Sequence, residues 1–354
     1  MYKRENTKKI KIGNTFIGQG SSIKIQSMCN KKTTDIESVV SQILEMEKEG
    51  VDIVRVSVPD EKSAEAIEKI KQKIHIPLVA DIHFDYKLAL MCVDRGIDKI
   101  RINPGNIGDK EKIKQVAKSC KSKNIPIRVG VNSGSISKKI LEKFDGKITE
   151  EALFLSAVEN IQCLEENDFN DIVISIKSSN VNLAVSAYRK IASEYNYPLH
   201  VGITEAGTLN SGIIKSSVGI GIILESGIGD TIRVSLTADP KEEIRVAKKI
   251  LQSLDLLDCG IEIISCPTCA RTDIDVIKIA NEIEESFYNV KVNKKIKIAV
   301  MGCAVNGPGE AKDSDIGVAG GIGCGLLFKK GEIYKKVPSN EIIPVLLDEV
   351  KKMI

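Results

Sequence analysis

Leu78-Val79-Ala80-Asp81-Ile82 and Lys99-Ile100-Arg101-Ile102-Asn103 set the reading of the fold. Each is a short, mainly apolar run with polar residues at every second position towards its C-terminal end. Alternate residues of a strand share a face. Asp81 therefore looks off one side of the first run, and Arg101 and Asn103 off one side of the second. Six further runs have this form, at residues 23–28, 53–58, 127–132, 172–177, 199–204 and 231–236. Most of the stretches between them carry helical apolar spacing, as in Val39, Ile43 and Met46, or Leu153, Ala157, Ile161 and Leu164. Connections this long suit parallel strands with helical crossovers. Strand then helix, eight times in about 250 residues, is the pattern of an α/β (β/α)8 TIM-type barrel. A doubly wound open sheet shows the same alternation. The count of eight, and the lack of a Gly-x-Gly-x-x-Gly after an early strand, favour the barrel.

In a barrel the shared face is the interior, and its C-terminal mouth is the usual active site. The period-two series along the runs reads Arg55 and Ser57, Asp81 and His83, Arg101 and Asn103, Arg128 and Asn132, Ser175 and Lys177. It continues with His200, then Thr204 with Glu205, then Arg233 with Ser235. Buried cations are costly without anionic partners. Asp81, Glu205 and Asp230 can supply some. The excess of planar guanidinium groups points to phosphate or carboxylate in a ligand. Arg55, Arg101, Arg128 and Lys177 are the candidate anion-binding residues, and Asn132, Ser133 and Ser135 can add neutral donors. The other reading is a barrel whose inner layers are held by buried ion pairs.

The 354 residues allow two domains. Hydrophobic residues make up 42% and charged residues 28%, as in ordinary globular proteins. A net charge of +3, no Trp and only 4% aromatics argue against a general nucleic-acid binder. No apolar run has membrane-spanning length. The charged start, Met1 to Lys9, lacks a signal-type apolar core. Nine cysteines in such a chain imply reduced thiols and a bacterial-type cytoplasmic protein. The pattern changes near residue 257, so the expected domains are residues 1–256 and 257–354. The second domain should be a small α+β unit. It has a strand at 261–264 and a helix with Ile277, Ala280, Ile283 and Phe287 on one face. A strand at 296–301, short antiparallel strands at 316–319, 325–328 and 333–337, and a closing helix at 340–353 follow.

That unit carries Ser265-Cys266-Pro267-Thr268-Cys269 and Gly302-Cys303-Ala304-Val305-Asn306-Gly307-Pro308-Gly309-Glu310. Thiolates at this spacing are metal or cluster ligands. Each segment is a Gly/Pro-rich turn after an apolar run, where backbone N–H groups can point at a negatively charged cluster. The Gly307-Pro308-Gly309 turn brings Glu310 close enough to be an oxygen ligand. A structural zinc site is the alternative. It needs a fourth Cys or His, which Cys324, or one of His75, His83 and His200, could provide.

From residue 25 to the Gly-rich segment at 317–325, the chain resembles the 4-hydroxy-3-methylbut-2-enyl diphosphate synthase family of the non-mevalonate isoprenoid route. The paired cysteine motifs carry the resemblance. It implies a [4Fe-4S] cluster held by Cys266, Cys269, Cys303 and Glu310, in a domain like those of sulfite and nitrite reductases. It implies reductive ring opening and dehydration of 2-C-methyl-D-erythritol 2,4-cyclodiphosphate, with Arg55, Arg101, Arg128, Asn132 and Lys177 binding this cyclic diphosphate. Flavodoxin or ferredoxin would deliver the electrons, and Glu310 would give way to substrate at its iron. Glu205 is the candidate proton donor, or else a salt-bridge partner for an arginine. The last helix of a barrel runs back from the mouth. A homodimer, in which one chain's cluster serves the other's barrel, is therefore expected, as in the family. The chain departs from the family pattern at Cys29 and Cys324. Cys92, Cys120, Cys163 and Cys259 read as small core residues. Two rivals are a pterin-binding barrel, which leaves the cysteine domain without a task, and an iron–sulfur sensor, which lacks a nucleic-acid-binding stripe.

Overall fold

A computed structural model describes residues 4–107, 110–287, 290, 292–304, 309 and 311–354. It divides into two compact units, Met1–Leu254 and Asp255–Ile354.

The first unit opens with a hairpin of β1 (Ile10–Ile12) and β2 (Thr15–Ile17). Eight parallel strands follow: β3 (Lys24–Met28), β4 (Ile53–Ser57), β5 (Leu78–Asp81), β6 (Lys99–Ile102), β7 (Ile127–Asn132), β8 (Ile172–Lys177), β9 (His200–Val201) and β10 (Thr231–Ile232). Their order in the sheet is β8-β7-β6-β5-β4-β3-β10-β9. The two ends of that order meet through a parallel bridge between Ile174 and Leu199, so the barrel closes. All eight expected strands are present. The last two keep only two residues of regular ladder each.

Every barrel strand is sandwiched between the interior and a layer of helices. Outward residues such as Val54, Val56, Ala80, Ile100, Ile102 and Val129 are therefore as buried as inward ones. The helix Ile36–Lys48 shows how the outer layer forms. Asp35 caps it by accepting from the Ser38 N–H at 3.2 Å, and Val39, Val40, Ile43 and Met46 are buried along one face. Leu153, Ala157, Ile161 and Leu164 are likewise fully buried on the helix Glu150–Glu165.

The sequence reading did not anticipate the β1–β2 hairpin. Its turn is Gly13-Asn14, with Gly13 at φ +55°, a conformation that suits glycine. Ile10, Ile12 and Ile17 pack on Ile53, Val79 and Val173, near the beginnings of their strands. The hairpin therefore closes the N-terminal end of the barrel with hydrocarbon and leaves the C-terminal end for chemistry.

The second unit is a five-stranded sheet: β11 (Gly260–Ser265), β12 (Lys295–Met301), β13 (Ile316–Gly321), β14 (Cys324–Lys329) and β15 (Glu332–Pro338), in chain order. β11, β12 and β13 are parallel, and β14 and β15 continue antiparallel. The last three strands are antiparallel to one another as expected, and β13 also joins β12 in parallel. Helices Val276–Ser286 and Ile342–Lys351 cover one face, where Ile279, Ile283, Ile298, Val318 and Leu346 form a core. Ile277, expected on the core face, is 62% exposed. Ile283 and Phe287 are buried as expected and Ala280 packs against the same core, while Val276 and Ile279 complete the stripe in place of Ile277. The first turn is apolar at both 276 and 277, and packing selects Val276.

If the hairpin is the floor of the barrel, Ile12→Ala should destabilise the first unit by about 2–5 kcal/mol, the usual range for a buried Ile truncation. A lowered urea midpoint for that unit checks this. An unchanged midpoint would show that the hairpin is only an appendage.

Candidate active site

The C-terminal mouth of the barrel is lined by charge. Arg55, Asp81, His83, Arg101, Arg128, Asn132, Lys177 and Arg233 surround a cavity of about 140 Å³, with Gly130, Ser175, Thr204 and Ser235. A larger cleft, about 620 Å³, is lined by Asn6, Thr7, Arg189 and Tyr195. It lies before the strand starts, at the opposite end from the convergent cations.

Strand register explains the convergence. Asp81 pairs with Ser57 and with Arg101, Arg101 with Arg128, and Asn132 with Lys177. Period two then turns these side chains inward. Gly130 falls in the same series, between Arg128 and Asn132. A Cβ there would lie 2.6 Å from Arg101 Nε, so the missing side chain is the room the guanidinium occupies. This glycine was legible in the alternation but was not singled out.

Asp81 organises the cations. Its Oδ1 accepts from Arg101 Nη1 at 3.0 Å, and its Oδ2 lies 3.6 Å from both Arg55 Nε and His83 Nε2. Burial opposes its ionisation, but the Arg55 guanidinium, His83 and Arg101 outweigh burial and hold the carboxyl well below the usual range. Arg55 also donates to Met28 Sδ, from Nη2 at 2.9 Å and from Nε at 3.2 Å. Burial and nearby cations draw its guanidinium down to about 10, so it stays charged near neutrality.

Arg233 is held from outside the barrel interior. Its Nη2 lies 3.4 Å from Glu243 Oε1, and Ser27 Oγ donates to Glu243 Oε2 at 3.0 Å. Glu243 is a buried carboxylate on the helix Pro240–Ser253. Sequence reasoning missed it, because nothing in a helical stretch marks which carboxylate turns inward. Arg128 is 1% exposed, and its Nε and Nη1 have no protein acceptor among the described residues; the same is true of Arg101 Nε and Arg233 Nε. Burial, Arg55 and Arg101 all disfavour charge on Arg128, and burial, Arg128 and Arg233 do the same for Lys177. A polyanion in the cavity would reverse that penalty.

Glu205 follows cavity-lining Thr204. It is exposed and has φ +52°, an uncommon conformation for a residue with a side chain. Phe84, beside His83, is 74% exposed.

The second constellation lies at one end of the β11–β15 sheet. Cys266 directly follows β11 and Cys303 closely follows β12. Because the two strands are parallel, both cysteines emerge at the same end. The two loops are tied together. Gly302 N–H donates to Cys266 Sγ at 3.1 Å, and Asp273 N–H donates to Gly302 O at 2.8 Å. Thr272 Oγ1 accepts from Cys269 N–H at 3.2 Å, and a Cβ on Gly302 would lie 2.8 Å from that same oxygen. Hydrogen bonds from Arg271, through its backbone and then its side chain, hold the Cys269 thiol below its ordinary value. An amide aimed at sulfur and a thiol biased towards thiolate suit iron–sulfur ligation. Cys266 and Cys303 are half-buried and Cys269 is exposed. Among the described residues, no three His, Cys, Asp or Glu side chains already stand in metal-binding geometry. Glu310, the expected fourth ligand, lies outside the described residues.

Cys324 starts β14 at the same sheet end, buried opposite Gly321. Cys29 is buried, and desolvation pushes its thiol up to about 12. Cys92 and Cys120 are buried, while Cys163 and Cys259 are half-buried. No helix among the described residues is long and apolar enough to cross a membrane.

Two family models match the chain: the GcpE TIM-barrel domain over residues 7–248 and the GcpE protein C-terminal domain over residues 262–352. A relative from Ruminiclostridium cellulolyticum, named 4-hydroxy-3-methylbut-2-en-1-yl diphosphate synthase (flavodoxin), is 56% identical over 351 residues, which is 99% of each chain. Relatives of the same name from Caldanaerobacter subterraneus and Fusobacterium nucleatum are each 57% identical, over 99% of this chain and 98% and 97% of their own lengths. Among solved structures, dihydropteroate synthase from Stenotrophomonas maltophilia aligns with a TM-score of 0.51 at 14% identity, over 70% of this chain and 98% of its own. That likeness shows the barrel fold alone. By sequence over nearly its whole length, the chain belongs to the family of 4-hydroxy-3-methylbut-2-en-1-yl diphosphate synthases (flavodoxin).

Proposed function

We propose that this oxidoreductase opens the ring of 2-C-methyl-D-erythritol 2,4-cyclodiphosphate and forms 4-hydroxy-3-methylbut-2-enyl diphosphate, with flavodoxin as electron donor. Two electrons and the protons that balance them enter, a ring carbon–oxygen bond breaks, and water leaves. The observation that carries this reading, beside family membership, is the cavity where Arg55, Arg101, Arg128 and Lys177 converge with unsatisfied guanidinium donors. A compact dianion fits such a site, because each phosphate oxygen accepts charge-assisted hydrogen bonds in a setting screened from water.

In this reading Arg55, Arg101, Arg128 and Lys177 bind the phosphates, and Asp81 keeps Arg55 and Arg101 oriented. Asn132 adds a neutral donor. Its own N–H donates to Ser135 Oγ at 2.9 Å, which fixes the turn after β7. Glu205 supplies a proton from the rim. Its positive φ is the kind of local irregularity that a functional position tolerates. The cofactor is a [4Fe-4S] cluster held by Cys266, Cys269 and Cys303 with Glu310, and when bound it supplies the electrons. The working unit is a homodimer, in which the cysteine-bearing unit of one chain serves the barrel of its partner.

Replacing Cys266, Cys269 or Cys303 by Ser should each remove most bound iron and sulfide from anaerobically prepared protein, while Cys324→Ser should keep both. Full cluster content in any of the first three variants would strike that residue from the ligand set. Cluster loss in Cys324→Ser, with Glu310→Ala behaving normally, would make Cys324 the fourth ligand.

Arg101→Ala should keep its iron but lose turnover, and Cys303→Ser should lose turnover with its barrel intact. Mixed under conditions of subunit exchange, the two should recover part of the activity through heterodimers holding one intact barrel and one intact cluster. No recovery despite demonstrated exchange would place the whole site within one chain.

A further inference from the structure

A fully buried histidine stands behind the cavity. His200 begins β9, and none of its surface is exposed. Its Nδ1 lies 2.7 Å from Oγ1 of Thr231, the residue paired with it on β10. Its Nε2 lies 3.3 Å from Lys177 Nζ. Its carbonyl accepts from the Tyr188 hydroxyl at 2.7 Å, which fixes the backbone of this two-residue strand. Two residues on, Gly202 leaves the space that Lys177 uses. A Cβ there would sit 2.9 Å from Lys177 Nζ and 2.5 Å from Arg233 O.

The hydrogen-bond inventory decides the protonation. Burial first, then Arg128, Lys177, Lys99 and Arg55, press His200 towards the neutral form. A neutral imidazole has one N–H and one lone pair, and an ammonium group has donors only. Once a bound phosphate keeps Lys177 a cation, against burial and the neighbouring cations, the nitrogen facing it must be the acceptor. The proton then belongs on Nδ1 and is donated to Thr231 Oγ1. The opposite tautomer would aim an N–H at an ammonium.

We propose that the His200–Thr231 pair is a positioning device for the anion site: Thr231 fixes the imidazole tautomer, and Nε2 then accepts from Lys177 and holds its ammonium where a phosphate oxygen of the substrate is bound. This rests on the reading of Lys177 as a diphosphate-binding residue. His200 does not line the cavity, so it acts through Lys177 and not on substrate.

The test is steady-state turnover of the cyclodiphosphate by the whole, iron-replete chain. His200→Leu should raise KM at least about tenfold, the scale of losing a hydrogen bond to a charged group. His200→Gln should stay within about threefold, because its amide can accept from Lys177 and donate to Thr231. In a Lys177→Met background, His200→Leu should add little. A folded, iron-replete His200→Leu with unchanged KM overturns the proposal, and so does an effect that multiplies independently with Lys177→Met. An unchanged KM in Lys177→Met alone sinks the Lys177 reading and this inference with it. A raised KM there, with none in His200→Leu, sinks only the inference. Should His200→Leu not fold, 15N shifts of the wild-type histidines, recorded with the cyclodiphosphate bound, report the tautomer directly. A proton on Nδ1 is expected, and one on Nε2 overturns the proposal.

Discussion

Arg55, Arg101, Arg128, Lys177 and Arg233 share the upper interior of one closed barrel, and among the described residues Asp81 and Glu243 are the carboxylates paired with them. Cations packed this way repel one another, and burial strengthens the repulsion because water no longer screens it. The fold tolerates the arrangement because its floor is built separately. Ile10, Ile12, Ile17, Ile53, Val79 and Val173 fill the lower barrel with hydrocarbon, and the outer faces of the strands pack on helices. Stability is thus supplied away from the mouth. A polyanion there would turn the repulsion among the cations into attraction to itself.

The same economy appears in the glycines. Gly130 makes room for the guanidinium of Arg101, and Gly202 makes room for the ammonium of Lys177. Gly130 lies on β7 and Gly202 just beyond β9, and at each a side chain is omitted where a cation comes close. Gly302 does comparable work in the second unit, where it allows its N–H to reach Cys266 Sγ while Thr272 packs close by. In each case the backbone is left bare where another side chain comes close.

Much of this was legible in the order of residues. Period two in Ile127-Arg128-Val129-Gly130-Val131-Asn132 fixes strand, face and polar end together, and eight such runs fix the barrel. The pairing of Arg233 with Glu243 and of His200 with Thr231 was not legible. Each joins residues on different elements, and only closure of the barrel brings them together. The β1–β2 hairpin was overlooked because three-residue strands leave almost no periodicity. The antiparallel run of β13, β14 and β15 was legible from their short connections, whereas the parallel pairing of β13 with β12 was not, because a short strand carries no mark of its partner. On the helix Val276–Ser286 only Ile277 departs from the expected face, because the first turn is apolar at both 276 and 277 and packing selects Val276. In the cysteine unit the spacing of Cys266, Cys269 and Cys303 was plain, and parallel β11 and β12 explain why residues so far apart in the chain emerge at one sheet end.

The central claim is that the cation-lined barrel receives the cyclodiphosphate and the cysteine-bearing unit provides for its reduction. The most direct measurement is anaerobic turnover of 2-C-methyl-D-erythritol 2,4-cyclodiphosphate by iron–sulfur-replete protein with reduced flavodoxin. The account predicts that 4-hydroxy-3-methylbut-2-enyl diphosphate accumulates as flavodoxin is oxidised, two electrons for each molecule formed. Cyclodiphosphate recovered intact, from protein whose iron and sulfide content is full and whose donor is reduced, would contradict it.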